Sequence, residues 1–167
     1  MSEAETALGG PIKAAQAWIE AVQLGRYDMA WTMTDARLRL ARVQAWIWNN
    51  RKDADIAAHK RDELAEALAT ERPSNPLWED FAATELHQMR EVYGPFQADA
   101  WGASSGPSSV GPDYALVLFA HMSSEPLILT GQAQVFSLAF LMKAAGGRWS
   151  LAAFADSLPR PGWPPKF

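Results

Sequence analysis

An α+β domain is the fold class this sequence predicts, with helices in the first half and antiparallel strands in the second. Three observations carry that reading. Apolar residues recur at helical spacing as far as Tyr93. After Gly94-Pro95 they alternate with period two. The later apolar runs are separated by short turns, too short for a crossover, so neighbouring strands must run antiparallel.

Taken in order, residues 1–10 read as a flexible leader: acidic and polar, with no cationic stretch followed by an apolar run, and so not a signal peptide. Gly10-Pro11 starts the first helix, because proline fits the first helical position. Ile12, Ala15, Ile19 and Val22 form its apolar stripe, and Gly25 is expected to end it in a left-handed cap. A short second helix covers residues 27–33. Thr34-Asp35 offers the N-cap for a third helix, residues 36–50, with Leu40, Val43 and Ile47 on one side. Asp53 or Asp55 is expected to cap a fourth, largely solvated helix reaching Thr70. Asn75-Pro76 restarts the chain into a fifth, residues 77–93, whose apolar face is Trp78, Phe81, Ala82, Leu86 and Met89.

Strands are expected at residues 96–103, 113–122, 127–142 and 148–155, with a Gly/Ser/Pro loop at 104–112 and a bend or bulge at Gly131. Along residues 113–122, Tyr114, Leu116, Leu118, Ala120 and Met122 share one face; Val117, Phe119 and His121 share the other. The strand over 127–142 puts Gln132 on one face with Ile128, Thr130, Gln134, Phe136, Leu138 and Phe140. Both of its faces become apolar toward the end, which predicts cover on both sides, one cover being a second copy of the chain. Residues 157–167 form a Pro-rich tail that proline bars from regular structure, with Trp163 and Phe167 suggesting that it lies on an apolar surface.

The 167 residues, 49% hydrophobic and 20% charged, suit one domain, residues 11–156, with a sizeable core. Residues 1–92 carry 11 basic and 15 acidic side chains and residues 93–167 four of each, so no basic face is implied and no nucleic-acid partner is expected. Cys is absent, which removes disulfides and thiolate chemistry and fits a cytoplasmic setting. The longest apolar run, residues 135–142, is too short to span a membrane, and no membrane partner is expected. The three His show no metal spacing, and no Walker loop, GxGxxG, GxSxG or HExxH is present; neither metal nor cofactor is expected.

Residues 14–35, AAQAWIEAVQLGRYDMAWTMTD, place Gly, an aromatic and an acid between two helices; residues 147–156, GRWSLAAFAD, close the strand region. With this order of elements the chain resembles the nuclear transport factor 2-like superfamily over about residues 11–156. That superfamily includes polyketide cyclases of the SnoaL type, ketosteroid isomerases, limonene epoxide hydrolases and scytalone dehydratases. The resemblance implies amino-terminal helices packed in a curved antiparallel β-sheet, a cystatin-like cone with an internal pocket. Residues 36–93 are longer and more helical than the plain fold requires, and its usual early hairpin is missing or replaced.

Candidate site residues follow from that shape. Asp35 is an N-cap or, with Arg37 or Arg39 beside it, an acid or base at the pocket mouth. His121 is a core histidine or, if it points inward, a general base titrating near neutrality. Tyr27 packs against the first helix or, as the resemblance to the isomerases implies, donates to a developing oxyanion. Trp31 lies one turn from it. Trp18, Trp46, Trp48 and Trp101 are core residues or an aromatic wall for a flat ligand, with Phe119 and Gln132 on strand faces that could turn toward it. Asp99 and Asp156 are surface acids or partners of Asp35. The loop at 104–112 could close over the mouth.

Three function classes are in view. One is a cofactor-free cyclase, isomerase, dehydratase or epoxide hydrolase acting on an apolar metabolite by acid–base chemistry. Another is a non-catalytic binding protein for a hydrophobic metabolite. The third is an interaction module that forms a homodimer through the sheet.

Overall fold

The computed structural model describes residues 10–121 and 137–167 and, between them, the backbone of Leu127–Leu129 and Gln132–Gln134. Among the described residues six helices precede the strands: α1 (Gly10–Gln23), α2 (Tyr27–Thr32), α3 (Ala36–Asn49), α4 (Ala54–Ala57), α5 (Arg61–Ala69) and α6 (Trp78–Tyr93). The strands are β1 (Trp101–Ser108), β2 (Gly111–His121), β3 (Leu127–Leu129), β4 (Gln132–Gln134), β5 (Ser137–Ala145) and β6 (Arg148–Ala153). Strands β1, β2, β5 and β6 form an open antiparallel sheet in that order, and β3 pairs with β4 in a separate two-stranded ladder. The fold is therefore α+β. The leader expected over residues 1–10 lies outside the described residues apart from Gly10, which opens α1.

Local signals set the helix ends. Gly25 has φ +74°, the Gly25 N–H donates to the Val22 carbonyl at 3.0 Å and the Arg26 N–H to the Ala21 carbonyl at 2.8 Å. This pair of bonds is a Schellman closure, which needs a left-handed residue. Asp35 caps α3 by accepting the Arg37 N–H at 3.1 Å, and Asp53 caps α4 by accepting the Asp55 N–H at 2.9 Å. The single helix expected from Asp53 to Thr70 is instead two, α4 and α5, with a break at Ala58–Lys60. Ile56 and Leu64 are both buried.

The strand region departs from expectation in two places. The strand expected at 96–103 and the loop expected at 104–112 are replaced by β1, which pairs from Trp101↔His121 to Ser108↔Gly111. Small residues and a proline suit β1 because it is the sheet's edge, and the register shifts beside Pro107. The single strand expected at 127–142 is divided into β3, β4 and β5: Leu127–Leu129 pair back on Gln132–Gln134, which supplies their backbone partners without the main sheet. The bend expected at Gly131 lies outside the described residues. Between β5 and β6 the turn Gly146-Gly147 has φ +57° and +75°, the left-handed pair that a tight hairpin requires.

The inner sheet face is Val117 and Phe119 of β2, Phe140 and Met142 of β5, and Trp149 and Leu151 of β6, all buried against the helices. The free edge of β6 is covered by the α2–α3 junction: the Asp35 N–H donates to the Leu151 carbonyl at 2.7 Å and the Leu151 N–H to the Met33 carbonyl at 2.8 Å. Between α1, α6 and the sheet, the rings of Trp18, Tyr93, Phe140 and Phe154 touch one another, with centroids 5.4–5.9 Å apart. Phe119 joins them through Phe140 at 5.7 Å and Phe96 through Phe119 at 5.0 Å. Among the described residues, these rings pack the space between α1, α6 and this part of the inner face.

Candidate functional site

Two charged residues occupy helix positions where apolar ones would be expected. Phe81, Glu85, Met89 and Tyr93 recur every fourth residue as the buried row of α6. Glu85 is only 4% exposed. Arg42 on α3 meets it with both arms of its fork: Nε donates to Oε2 at 2.8 Å and Nη2 to Oε1 at 3.0 Å. The Tyr27 hydroxyl, from α2, donates to the same Oε2 at 3.1 Å. A carboxylate can be buried here because three donors converge on it.

The electrostatics make this cluster a fixed donor set rather than an acid–base pair. Burial, and then the Glu85 charge, hold the Tyr27 hydroxyl well above its ordinary range, against the opposing pull of Arg42. Tyr27 therefore keeps its proton. Burial alone would depress the Arg42 guanidinium, but the Glu85 charge and hydrogen bonds reverse this and hold it above its ordinary value. Burial also raises the Tyr93 hydroxyl, with Arg42 opposing.

One turn before Arg42 on α3, Leu38 lines a cleft of about 180 Å³ with Ala153 and Phe154 at the end of β6 and Pro159 and Phe167 of the tail. Phe154 backs the cleft onto the aromatic cluster; Arg42 faces the Phe167 wall, its guanidinium carbon 5.8 Å from the ring centre. The tail is held in place by Arg37, whose Nε donates to the Pro159 carbonyl at 2.7 Å. Two larger grooves, about 440 Å³ along the β1–β2 hairpin and about 410 Å³ beside Asp28, Glu71 and Trp78, are more open to solvent. The smaller cleft is the better candidate because its walls are apolar and it adjoins the buried polar cluster.

The three residues expected to be catalytic are not brought together. Asp35 is the α3 cap, and its other oxygen takes Lys143 Nζ at 3.1 Å. That bond, above the opposing effect of burial, holds the Lys143 ammonium above its ordinary value. Tyr27 spends its hydroxyl on Glu85. His121 is exposed at the end of β2, edge-on to its cross-strand partner Trp101 at 5.2 Å, so it is not the core histidine its strand face suggested.

The expected ligand-binding residues serve mostly as structure. Trp18 is buried and donates to Thr34 Oγ1 at 3.2 Å; Trp31 is buried and donates to the Thr70 carbonyl at 2.9 Å. Trp46 is buried edge-on to Phe81, and Phe119 is buried between Phe96 and Phe140. Arg39 ties the α2–α3 junction to the end of α5 through the Thr34 and Ala69 carbonyls, its guanidinium lowered by burial. Gln132 lies in β4 opposite Leu129, and its side chain is outside the described ones. The lid expected at 104–112 is instead the end of β1 and its turn, where Ser108 and Ser109 donate to Asp156. Asp99 is exposed in the turn before β1.

Sequence reasoning missed Leu38, Arg42, Glu85 and Phe154. A signal for Glu85 was present: it interrupts an otherwise apolar and aromatic row at strict four-residue spacing, which marks a charge facing inward.

Among the described residues no group of three or more His, Asp or Glu is placed to hold a metal, and no helix is long and apolar enough to cross a membrane. Neither family models, nor curated proteins, nor solved structures compared with this chain match it.

Proposed function

We propose that this protein binds a small, mainly apolar molecule in the cleft between α3, the end of β6 and the tail, and that it does so without catalysis. The observation that carries the reading is the cleft itself: about 180 Å³ walled by Leu38, Ala153, Phe154, Pro159 and Phe167. An apolar cavity of about 150 Å³ takes a benzene-sized guest, so the cleft suits one or two rings. The acid–base reading has less support. Tyr27 is pushed away from ionisation, both Glu85 oxygens are already bonded, and Asp35 and His121 make their contacts elsewhere. Membership of the nuclear transport factor 2-like superfamily belongs to the same proposal; the helices-first, antiparallel-sheet order supports it.

Indole added to isotope-labelled protein tests the reading. Amide shifts confined to Leu38, residues 153–155 and the tail, and cancelled by Leu38→Trp in a folded variant, are expected. Shifts elsewhere, or none, would overturn it.

A second copy docked on the outer sheet face is a further proposal. Leu118 stands 40% exposed there, with the half-buried Leu116 and Ala120 on the same strand face.

A further inference from the structure

The tail contributes one aromatic ring, Phe167, to the wall of the cleft. Its backbone is pinned at several points. Besides the Arg37 bond to Pro159, the Gly162 N–H donates to Gln44 Oε1 at 2.8 Å, and Trp163 Nε1 donates to Asp62 Oδ1 at 2.7 Å beneath the Arg61 guanidinium. Arg160 and Lys166 then exchange both backbone bonds, at 2.7 and 2.9 Å, and close residues 160–166 into a loop. Phe167 lies beyond that closure. It is 61% exposed, and the Arg42 guanidinium faces its ring at 5.8 Å. A fixed strap thus carries a loosely held aromatic side chain.

We infer that Phe167 is a displaceable gate, and that the molecule bound in the cleft carries a planar aromatic ring that takes the place of the Phe167 ring over Arg42. This rests on the cleft being a binding site. Three features carry it. Phe167 forms one wall of a cleft smaller than the roughly 300–1,000 Å³ of ordinary ligand pockets, so swinging it out enlarges the site. Its exposure makes release cheap. Arg42 has a guanidinium face suited to an aromatic plane, while its charge is already neutralised by Glu85, so a neutral ring suits the position better than an anion.

The test is binding of 1-naphthol, and of its saturated counterpart decahydro-1-naphthol, to the wild-type chain, Phe167→Ala and Leu38→Trp, by calorimetry. An exposed cation–π contact closes the gate by a factor of roughly two to five, so its removal should tighten 1-naphthol roughly three- to sixfold. Trp163→Ala, which loosens the strap further back, should move affinity the same way. Unchanged or weaker 1-naphthol binding by Phe167→Ala, with Leu38→Trp still blocking it, overturns the gate and leaves the cleft. Equal affinity for the two probes overturns the aromatic class. No binding by any variant, or binding indifferent to Leu38→Trp, overturns the cleft and the gate with it.

Discussion

Replacing Glu85 with Leu removes the acceptor for Arg42 and Tyr27 while roughly keeping the side-chain volume. Three hydrogen bonds are lost, at 2.8, 3.0 and 3.1 Å. Breaking one side of a buried ion pair costs about 3–5 kcal/mol, because the survivor is left charged in a poor solvent. Here the Arg42 side chain is 21% exposed, so water recovers part of its solvation and the expected loss is about 2–4 kcal/mol. At roughly 2–4 °C per kcal/mol for a chain of this size, the melting temperature should fall by roughly 5–15 °C. Urea unfolding followed by Trp fluorescence measures it. The double variant Glu85→Leu/Arg42→Met removes both charges and should recover more than half of the loss. A single variant within about 0.5 kcal/mol of wild type, or a double variant no better than the single, would refute the claim that the loss comes from stranding Arg42 as an unpaired, largely buried charge.

Further expectations are as follows. Gly25→Ala should destabilise by about 1–2 kcal/mol in urea titration, since φ is +74° and the added Cβ would lie 2.7 Å from Arg90 Nη2. Stability should fall as pH rises above about 10, because Tyr27, Tyr93 and Lys143 all bind their protons more tightly folded than unfolded. Their contribution is full below the unfolded values and is lost upward. Tyr27→Phe should lower the melting temperature at pH 7, through one lost hydrogen bond worth about 1–2 kcal/mol, yet flatten its decline between pH 9.5 and 11 on the scale of the 10.0 reference value. If the outer sheet face takes a second copy, the wild-type chain sediments as a dimer and Leu118→Glu as a monomer; a wild-type monomer at high concentration removes that reading.

What was legible in the sequence was what is decided locally. The Gly25 closure and the Asp35 cap each depend on one or two residues whose backbone preferences outweigh context, and both stand where the sequence put them. The grouping of Val117 and Phe119 on one face of β2 was legible from alternation with period two, but both faces are apolar, and only the helices packed on one of them decide which is buried. β1 was not legible. Its Gly, Ser and Pro residues have poor strand propensity, and they are held extended by pairing with β2 rather than by their own preference. The Arg42–Glu85 pair was hidden for a different reason. Charges on an amphipathic helix ordinarily mark its solvent side, and a pair separated by 43 positions identifies itself only once α3 and α6 are packed. His121 misled because a strand face has one chemical environment only while the helix layer continues beneath it, and β2 leaves His121 exposed at its end.

The cleft between Leu38, Phe154 and the tail is most directly tested by intermolecular nuclear Overhauser contacts between 1-naphthol and the methyl groups of the labelled protein. Contacts to the Leu38 and Ala153 methyls are expected. Contacts that fall only on the outer-face residues Leu116 and Leu118, or on no methyl at all, would contradict a binding site at this place.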